Sequence, residues 1–424
     1  MPNGFSTSGI YRPKLITALA EGYSVARFRK DALAALTVAI VALPLSMAIA
    51  VASGVTPERG LYTAIIGGAL VSALGGSRFQ IGGPAGAFIV LVAATVARFG
   101  VEGLLLTVLL SGAMLTLLGV LRIGSLIRHI PHAVTVGFTF GIAVTIAASQ
   151  LKDIAGLKLH GSEPGPFFPK MAALLEALPS FTPAALILGA LSALVIFGLR
   201  RVRPTWPGML IAVVLASAAS LLFHMPVETI GTKFGGIPHG LLWPTLPVFS
   251  WPLVREVLPT ALSFTLLGGI ESLLSAKVAD GMTARFHRPN MELVAQGIAN
   301  MVSAMFGGIS VTGTIARTAT NIRAGAQTPL SGILHSIFLL MFMMVAAPLA
   351  SYIPLAALAG VLLVVAWNMA EKGEFVVLLK DWRTAAVLLA TFLLTLIRDL
   401  TTGIIAGCVL ALVFHLAARP KTRS

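Results

Sequence analysis

The sequence predicts an all-α polytopic membrane protein of 14 transmembrane segments in a 7+7 inverted repeat, with two short strands leading into half-helices 3 and 10. Three observations carry this. Of 424 residues, 57% are hydrophobic and 11% charged, against about 45–50% and 25% in soluble chains; mean hydropathy is +0.92. So few charges cannot clothe a soluble surface. Apolar runs bounded by Gly, Pro or charge recur along the chain, seven on each side of a proline-rich connector at 225–255. Finally, matching Gly-Gly pairs at 75–76 and 307–308 each precede a span too short to cross alone.

The predicted spans of the first half are 32–53, 60–75, 84–98, 101–122, 131–150, 184–200 and 207–224. Those of the second are 256–280, 290–306, 314–325, 328–349, 354–370, 383–397 and 400–418. About 20 apolar residues cross a hydrocarbon core of about 30 Å, so the third and tenth need a partner segment. Residues 1–31 are polar and basic, without the apolar core of a signal peptide, and read as a cytoplasmic N-terminal segment. The connector 225–255, with Pro226, Pro238, Pro244, Pro247 and Pro252, reads as an ordered external loop. In the external stretch 153–183, residues 170–178 read as a short interfacial helix. An odd number of spans per half inverts the repeats, 32–224 and 256–418, relative to each other.

Net charge is +14. In a soluble chain that would suggest nucleic acid, but the cations lie singly or in small clusters between apolar runs, without interleaved aromatics. With the N-terminus inside, 20 of the 30 Lys+Arg fall on the cytoplasmic side, 8 outside, and Lys277 and Arg317 within spans. The bias puts both termini on the cytoplasmic side of the membrane. Cys408, the single cysteine, excludes internal disulfides and multi-Cys metal sites.

The short spans share a design. Phe79 to Gly83 and Ile309 to Gly313 follow the Gly pairs, and Ile309 to Thr312 alternates apolar and polar as a strand does. Helix-compatible runs then begin at Pro84, a residue favoured in a first helical turn, and near Thr314. Broken helices at matching positions of inverted halves point to a midplane transport site. Two helix N-termini meeting there would offer unpaired N–H groups and positive dipole ends to an anion. The first supplies Ala85, Gly86, Ala87 and Phe88; the second supplies Thr314, Ile315, Ala316 and Arg317.

Other residues place the chain near a known family. Residues 57–64 (Pro-Glu-Arg-Gly-Leu-Tyr-Thr-Ala), running on to Gly76-Ser77-Arg78, resemble the signature of the sulfate permease (SulP) family, solute carrier family 26. Leu43-Pro44 with Met47-Ala48 is similar to its first helix. Residues 270–275 and 279–283 resemble its eighth; 295–300, Gly307-Gly308 and 316–321 resemble its ninth and tenth. The resemblance covers nearly the whole chain and suggests a prokaryotic member, in the cell membrane of a bacterium (the inner membrane). It implies a core domain of spans 1–4 and 8–11, a gate domain of spans 5–7 and 12–14, homodimers, and anion transport by an elevator-like movement of the core. Members usually continue into a cytoplasmic STAS domain; this sequence ends at Ser424, so a membrane domain without STAS is expected.

An Arg in the hydrocarbon region costs about 2.5–3.5 kcal/mol to insert, so Arg317 should face a cavity or a partner. It reads as substrate attraction or as half of a structural ion pair; the resemblance favours the former. Glu271, with Ser275 on the same helix face, reads as a proton-coupling carboxylate, a sodium ligand with Ser275, or a counter-ion. Sodium-dependent members carry Asp there, so Glu leans toward protons. Lys277 is expected to pair with Asp280, His335 to be a hydrogen-bonded structural residue, and Glu292 to be a helix-start acid. Leu43, Leu45 and Ile49 line the site from span 1; many members carry Gln where Leu45 stands. The missing amide tilts the substrate toward a carboxylate such as fumarate, with sulfate, bicarbonate and chloride as alternatives. A nucleobase–cation symporter would want an acid where Arg317 stands. A passive channel would leave Glu271 idle, and no nucleophile–base pair, metal cluster or phosphate loop supports an enzyme. No cofactor or metal is expected beyond a coupling proton or, as alternative, sodium. The expected partners are a small inorganic or organic anion, lipid and a second copy, with no nucleic acid.

Overall fold

The computed structural model describes residues 11–124, 131–159, 161, 164, 167–204, 206–398 and 400–418. The first helix, α1 (Lys14–Ala20), lies in the N-terminal segment. Next comes α2 (Val25–Ala52), which starts before the predicted 32 because Ser24 caps it, accepting from Arg27 N. The second span is α3 (Pro57–Tyr62), a π turn at Thr63–Gly67, and α4 (Gly68–Leu74). Apolar periodicity does not reveal that turn. Spans 3 and 4 form α5 (Ile89–Val120), broken at Gly100, whose φ of +68° is costly for any other residue. Then follow α6 (His132–Ala155), α7 (Phe167–Glu176), α8 (Pro183–Val202) and α9 (Gly208–Leu222). The connector holds α10 (Ile230–Phe234), closed by a capping box of Thr229 and Thr232.

The second half opens with α11 (Trp251–Thr283), which takes the end of the connector because Ser250 caps it. It continues with α12 (Pro289–Met305), α13 (Ile315–Arg323), α14 (Leu330–Ala350), α15 (Leu355–Met369), α16 (Lys372–Leu378), α17 (Trp382–Ile397) and α18 (Leu400–Ala418). Among the described residues, seven helices are long and apolar enough to cross a bilayer by themselves. The other crossings use shorter or broken elements. Helices α2–α5 pack mainly with α11–α14. Helix α6 packs on α15 and α17, and α8 on α9 and α15. The two sets meet where α2 lies against α9 and α15 and where the start of α5 lies against α6.

Strands β1 (Gly82–Gly83) and β2 (Thr312–Gly313) pair antiparallel, with Gly82 opposite Gly313 and Gly83 opposite Thr312. The alternation at 309–312 predicted a longer strand, but the ladder begins only at Thr312. Irregular backbone at membrane depth must have its polar groups satisfied, and side chains supply the partners. Asn300 clasps Val311, its Oδ1 accepting from the N–H (2.9 Å) and its Nδ2 donating to the carbonyl (2.8 Å). Thr318 Oγ1 accepts from Ile81 N (3.1 Å), Ser272 Oγ accepts from Gly313 N (3.2 Å), and Asn321 Nδ2 donates to Phe79 O (3.0 Å).

The Gly pairs are held by the opposite repeat. Fully buried Glu292 accepts from Gly76 N (2.8 Å), Ser77 N (3.0 Å), Gln80 Nε2 (2.8 Å) and Gln296 Nε2 (3.2 Å). At the inverted position, Thr63 Oγ1 accepts from Ile309 N (2.7 Å) and Arg59 Nη1 donates to Gly307 O (2.8 Å). Glu292 stands in the first turn of α12, as expected, but its oxygens go to tertiary donors. Asp31 does the same for the start of α14, accepting from Gln327 N (2.7 Å), Thr328 N (3.1 Å) and Thr328 Oγ1 (2.6 Å). The expected Lys277–Asp280 pair does not form; Asp280 instead meets His287 Nδ1 at 2.6 Å, and Lys277 is exposed.

Candidate functional site

Two helix starts flank the strand crossing. On the first side the chain stays extended through Pro84 and Ala85, then turns through Gly86–Phe88 into α5. On the second, Thr314 is the extended residue before α13. Each helix therefore begins slightly later than the sequence suggested, and Pro84 lies outside the first helical turn. Neither start carries a side-chain cap, whereas α2, α11 and α17 are capped by Ser24, Ser250 and Asp381. The first-turn N–H groups thus lack intrahelical partners, with the positive dipole ends behind them.

Most of the expected lining is brought together here. Ala85, Gly86, Ala87 and Phe88 are buried, and the Phe88 ring meets Phe264 of α11 edge-on at 5.3 Å. Gly86 faces Ile146 of α6 and Met369 of α15, so the first N-terminus abuts the other helix set. Leu45, Ile49 and Thr314 are buried, and Leu43 is half-buried. Ile315 and Ala316 are exposed.

Arg317 lies 2% exposed in the first turn of α13. Its Nη2 donates to Ser46 Oγ of α2 at 3.1 Å and, at 3.4 Å, to Pro84 O. Its Nε and Nη1 have no partner. A side chain at Gly83 would collide with Nη1, so glycine in β1 makes room for the guanidinium. Glu271 does not neutralise it: among the described residues no ion pair within 4.0 Å joins them. The counter-ion reading of Glu271 is therefore overturned. Glu271 Oε2 is buried and unpartnered. Ser275, one turn on, bonds Thr318 Oγ1 (3.3 Å) rather than Glu271.

His335 also departs from expectation. It is fully buried in α14, and neither ring nitrogen has a partner; Arg317 is the charged group that acts on it. Thr312 Oγ1 in β2 is buried and unpartnered as well. Unpaired buried polar groups are rare, and Glu271, Thr312, Arg317 and His335, on α11, β2, α13 and α14, carry them, as do Gln80 and Asn321 beside β1. Ser46, Ser272, Thr312 and Thr318 also belong to the site, though little in the sequence marks them for it. Their signal was a hydroxyl within an apolar or Gly-rich run, which is common in membrane helices and so carries little information by itself. No three His, Cys, Asp or Glu side chains gather as metal ligands among the described residues.

Residues 28–393 match the model of the sulfate permease family. The chain is 41% identical to YvdB of Bacillus subtilis (strain 168), provisionally named a sulfate transporter, across 93% of this chain and 75% of that one. It is 30% identical to the bicarbonate transporter BicA of Picosynechococcus sp. (strain ATCC 27264 / PCC 7002 / PR-6), across 93% of this chain and 71% of that one. The solved transmembrane domain of a cyanobacterial BicA superposes with a TM-score of 0.81 at 30% identity, covering 90% of this chain and 98% of that domain.

Proposed function

The chain belongs to the sulfate permease family, and from that membership and the site we propose a secondary anion transporter that binds its substrate at Arg317 between the two uncapped helix starts. The carrying observation is Arg317 itself: a buried guanidinium with no carboxylate partner and two donor nitrogens unpaired. In a dry interior such a group is costly unless an anion meets it. Ala85, Gly86, Ala87 and Phe88 on one side, and Thr314, Ile315 and Ala316 on the other, form the walls, with Leu45 and Ile49 behind. One relative carries the provisional name of a sulfate transporter and the other is named a bicarbonate transporter, which supports a small inorganic oxyanion as first choice. The apolar Leu45 supports a carboxylate such as fumarate as second.

Coupling to protons is assigned to Glu271, because it neighbours Ser272, which bonds Gly313 of β2, and has one buried carboxylate oxygen unpaired. Sodium held by Glu271 and Ser275 is the alternative. Alternating access follows if α2–α5 with α11–α14 shift as a body against the remaining helices, with both termini cytoplasmic and two copies associating in the membrane. Purified protein in liposomes under an inward proton gradient tests the reading by uptake of labelled sulfate, bicarbonate and fumarate. Gradient-driven accumulation of one anion is expected. Flux of all three that ignores the gradient would refute coupled transport and leave exchange or a channel.

A further inference from the structure

A second concentration of charge lies away from the transport site, where α1 straps the ends of α4, α5 and α12. Lys14 N donates to Gly75 O (2.9 Å). Arg288 Nη1 reaches back to Arg12 O (2.6 Å) and Thr17 Oγ1 (3.1 Å), and Tyr11 OH donates to Val120 O (2.7 Å). This draws Arg12, Lys14, Arg78, Arg285 and Arg288 together. The acids nearby are already engaged: Glu21 binds Arg78 and lies 3.9 Å from Arg285, while Asp280 binds His287. Among the described residues no carboxylate lies within 4.0 Å of Arg12, Lys14 or Arg288. Burial, then the positive charges of Arg288 and Arg78, hold the Lys14 ammonium below the usual lysine range; Asp280 and Glu21 oppose this with smaller effect. Arg288 is lowered by burial and by Arg12 and Arg78.

The ground beside these cations is apolar. Leu117, Val120 and Leu121 at the end of α5 are 56%, 56% and 58% exposed. Phe286, next to Arg285, is 79% exposed. The end of α5 packs on Asn290 and Val294 at the start of α12, so apolar flank and cation cluster are contiguous. Tyr11 ties them together, with its hydroxyl on the Val120 carbonyl. Cations crowded beside acids that are already engaged, bordering an exposed apolar flank, match one chemistry: a phosphate ester carrying acyl chains.

We propose that Arg12, Lys14 and Arg288 bind the phosphate of an anionic phospholipid, whose chains lie on Leu117, Val120 and Leu121. The headgroup would fix α1 against both repeats at once, since Lys14 is bonded to Gly75 of the first and Arg288 opens α12 of the second. The inference is independent of which anion the transport site carries.

The test uses the full chain in vesicles or nanodiscs of phosphatidylcholine with phosphatidylglycerol, measuring lipid retained by native mass spectrometry. Wild type should be enriched in phosphatidylglycerol over phosphatidylcholine. Each cation removed near the surface should cost about fivefold in that preference, so R12Q/K14Q should lose roughly 30-fold, whereas R12K/K14R should keep it. R201Q, which removes an exposed cation at the end of α8, should change nothing. Melting temperatures check that every variant is folded. No preference in wild type, or full preference in folded R12Q/K14Q, would overturn the site. Displacement of the lipid by millimolar inorganic phosphate or glycerol phosphate would make it a soluble-anion site and equally overturn the assignment.

Discussion

Replacing Arg317 with Met separates a substrate-binding cation from a structural one. Met keeps much of the side chain's length and removes its charge. In the folded protein the guanidinium Nη2 donates to Ser46 Oγ at 3.1 Å and to Pro84 O at 3.4 Å, and Nε and Nη1 have no acceptor. A buried cation this poorly met contributes little to stability. Exchanging it for an apolar side chain should leave stability unchanged or raise it by up to about 2 kcal/mol. Substrate affinity should move the other way. An anion on Nε and Nη1 gains one or two charge-assisted hydrogen bonds at about 1.5–3 kcal/mol each. Allowing for partial compensation by water, the loss is roughly 2–4 kcal/mol, or about 30- to 1,000-fold in Kd. Calorimetric titration of the successful substrate into detergent-purified protein reads the affinity, and tryptophan fluorescence melting reads the stability. Unchanged affinity in folded Arg317→Met would refute the site. A stability loss of about 3–5 kcal/mol would instead reveal an internal ion partner, and the unpaired state of Arg317 would be wrong.

Four further outcomes follow from the same contacts. Glu271→Gln should retain anion exchange but lose the dependence of uptake on the proton gradient; a wild-type pH profile would remove Glu271 from coupling. Glu292→Gln withdraws the negative acceptor from Gly76 N, Ser77 N and Gln80. It should destabilise by about 2–4 kcal/mol, and an unshifted melting temperature would contradict the clamp. His335→Leu removes two orphaned ring nitrogens; it should melt no lower than wild type, and a loss of uptake in that stable variant would place the imidazole on the transport path. Lastly, Arg78 holds the Glu21 carboxyl below the usual glutamate range. That tie is complete above the unfolded value and weakens as pH falls through the depressed one. Hydrogen exchange in α1, corrected for intrinsic rates, should be constant from pH 7 to 5 and rise below about pH 4; a rise already near pH 6 would assign the tie elsewhere.

What the sequence determined by itself was whatever depends on composition and local pattern. Apolar runs of membrane length gave the spans, from α2 to α18, because hydrocarbon admits only segments that satisfy their own backbone. The Gly pairs and the short runs after them gave the two broken helices, and an odd count per half gave the inversion. Arg317 stood out because an Arg inside an apolar span is expensive anywhere. Tertiary structure alone decided which polar groups meet. Glu292 looks like any acid in a first helical turn until Gly76 and Ser77, more than 200 positions away, place their N–H groups on it. Glu271 and Arg317 have opposite charges on facing elements, which suggests a pair, yet the fold keeps them more than 4.0 Å apart. The π turn at 63–67 leaves no periodic trace, and the alternation at 309–312 does not show where the two-residue ladder of β1 and β2 begins, since each answers a partner from the other repeat. The physical reason is range. Burial is written residue by residue along the chain, whereas hydrogen-bond partners and missing counter-charges are properties of two segments brought together by folding.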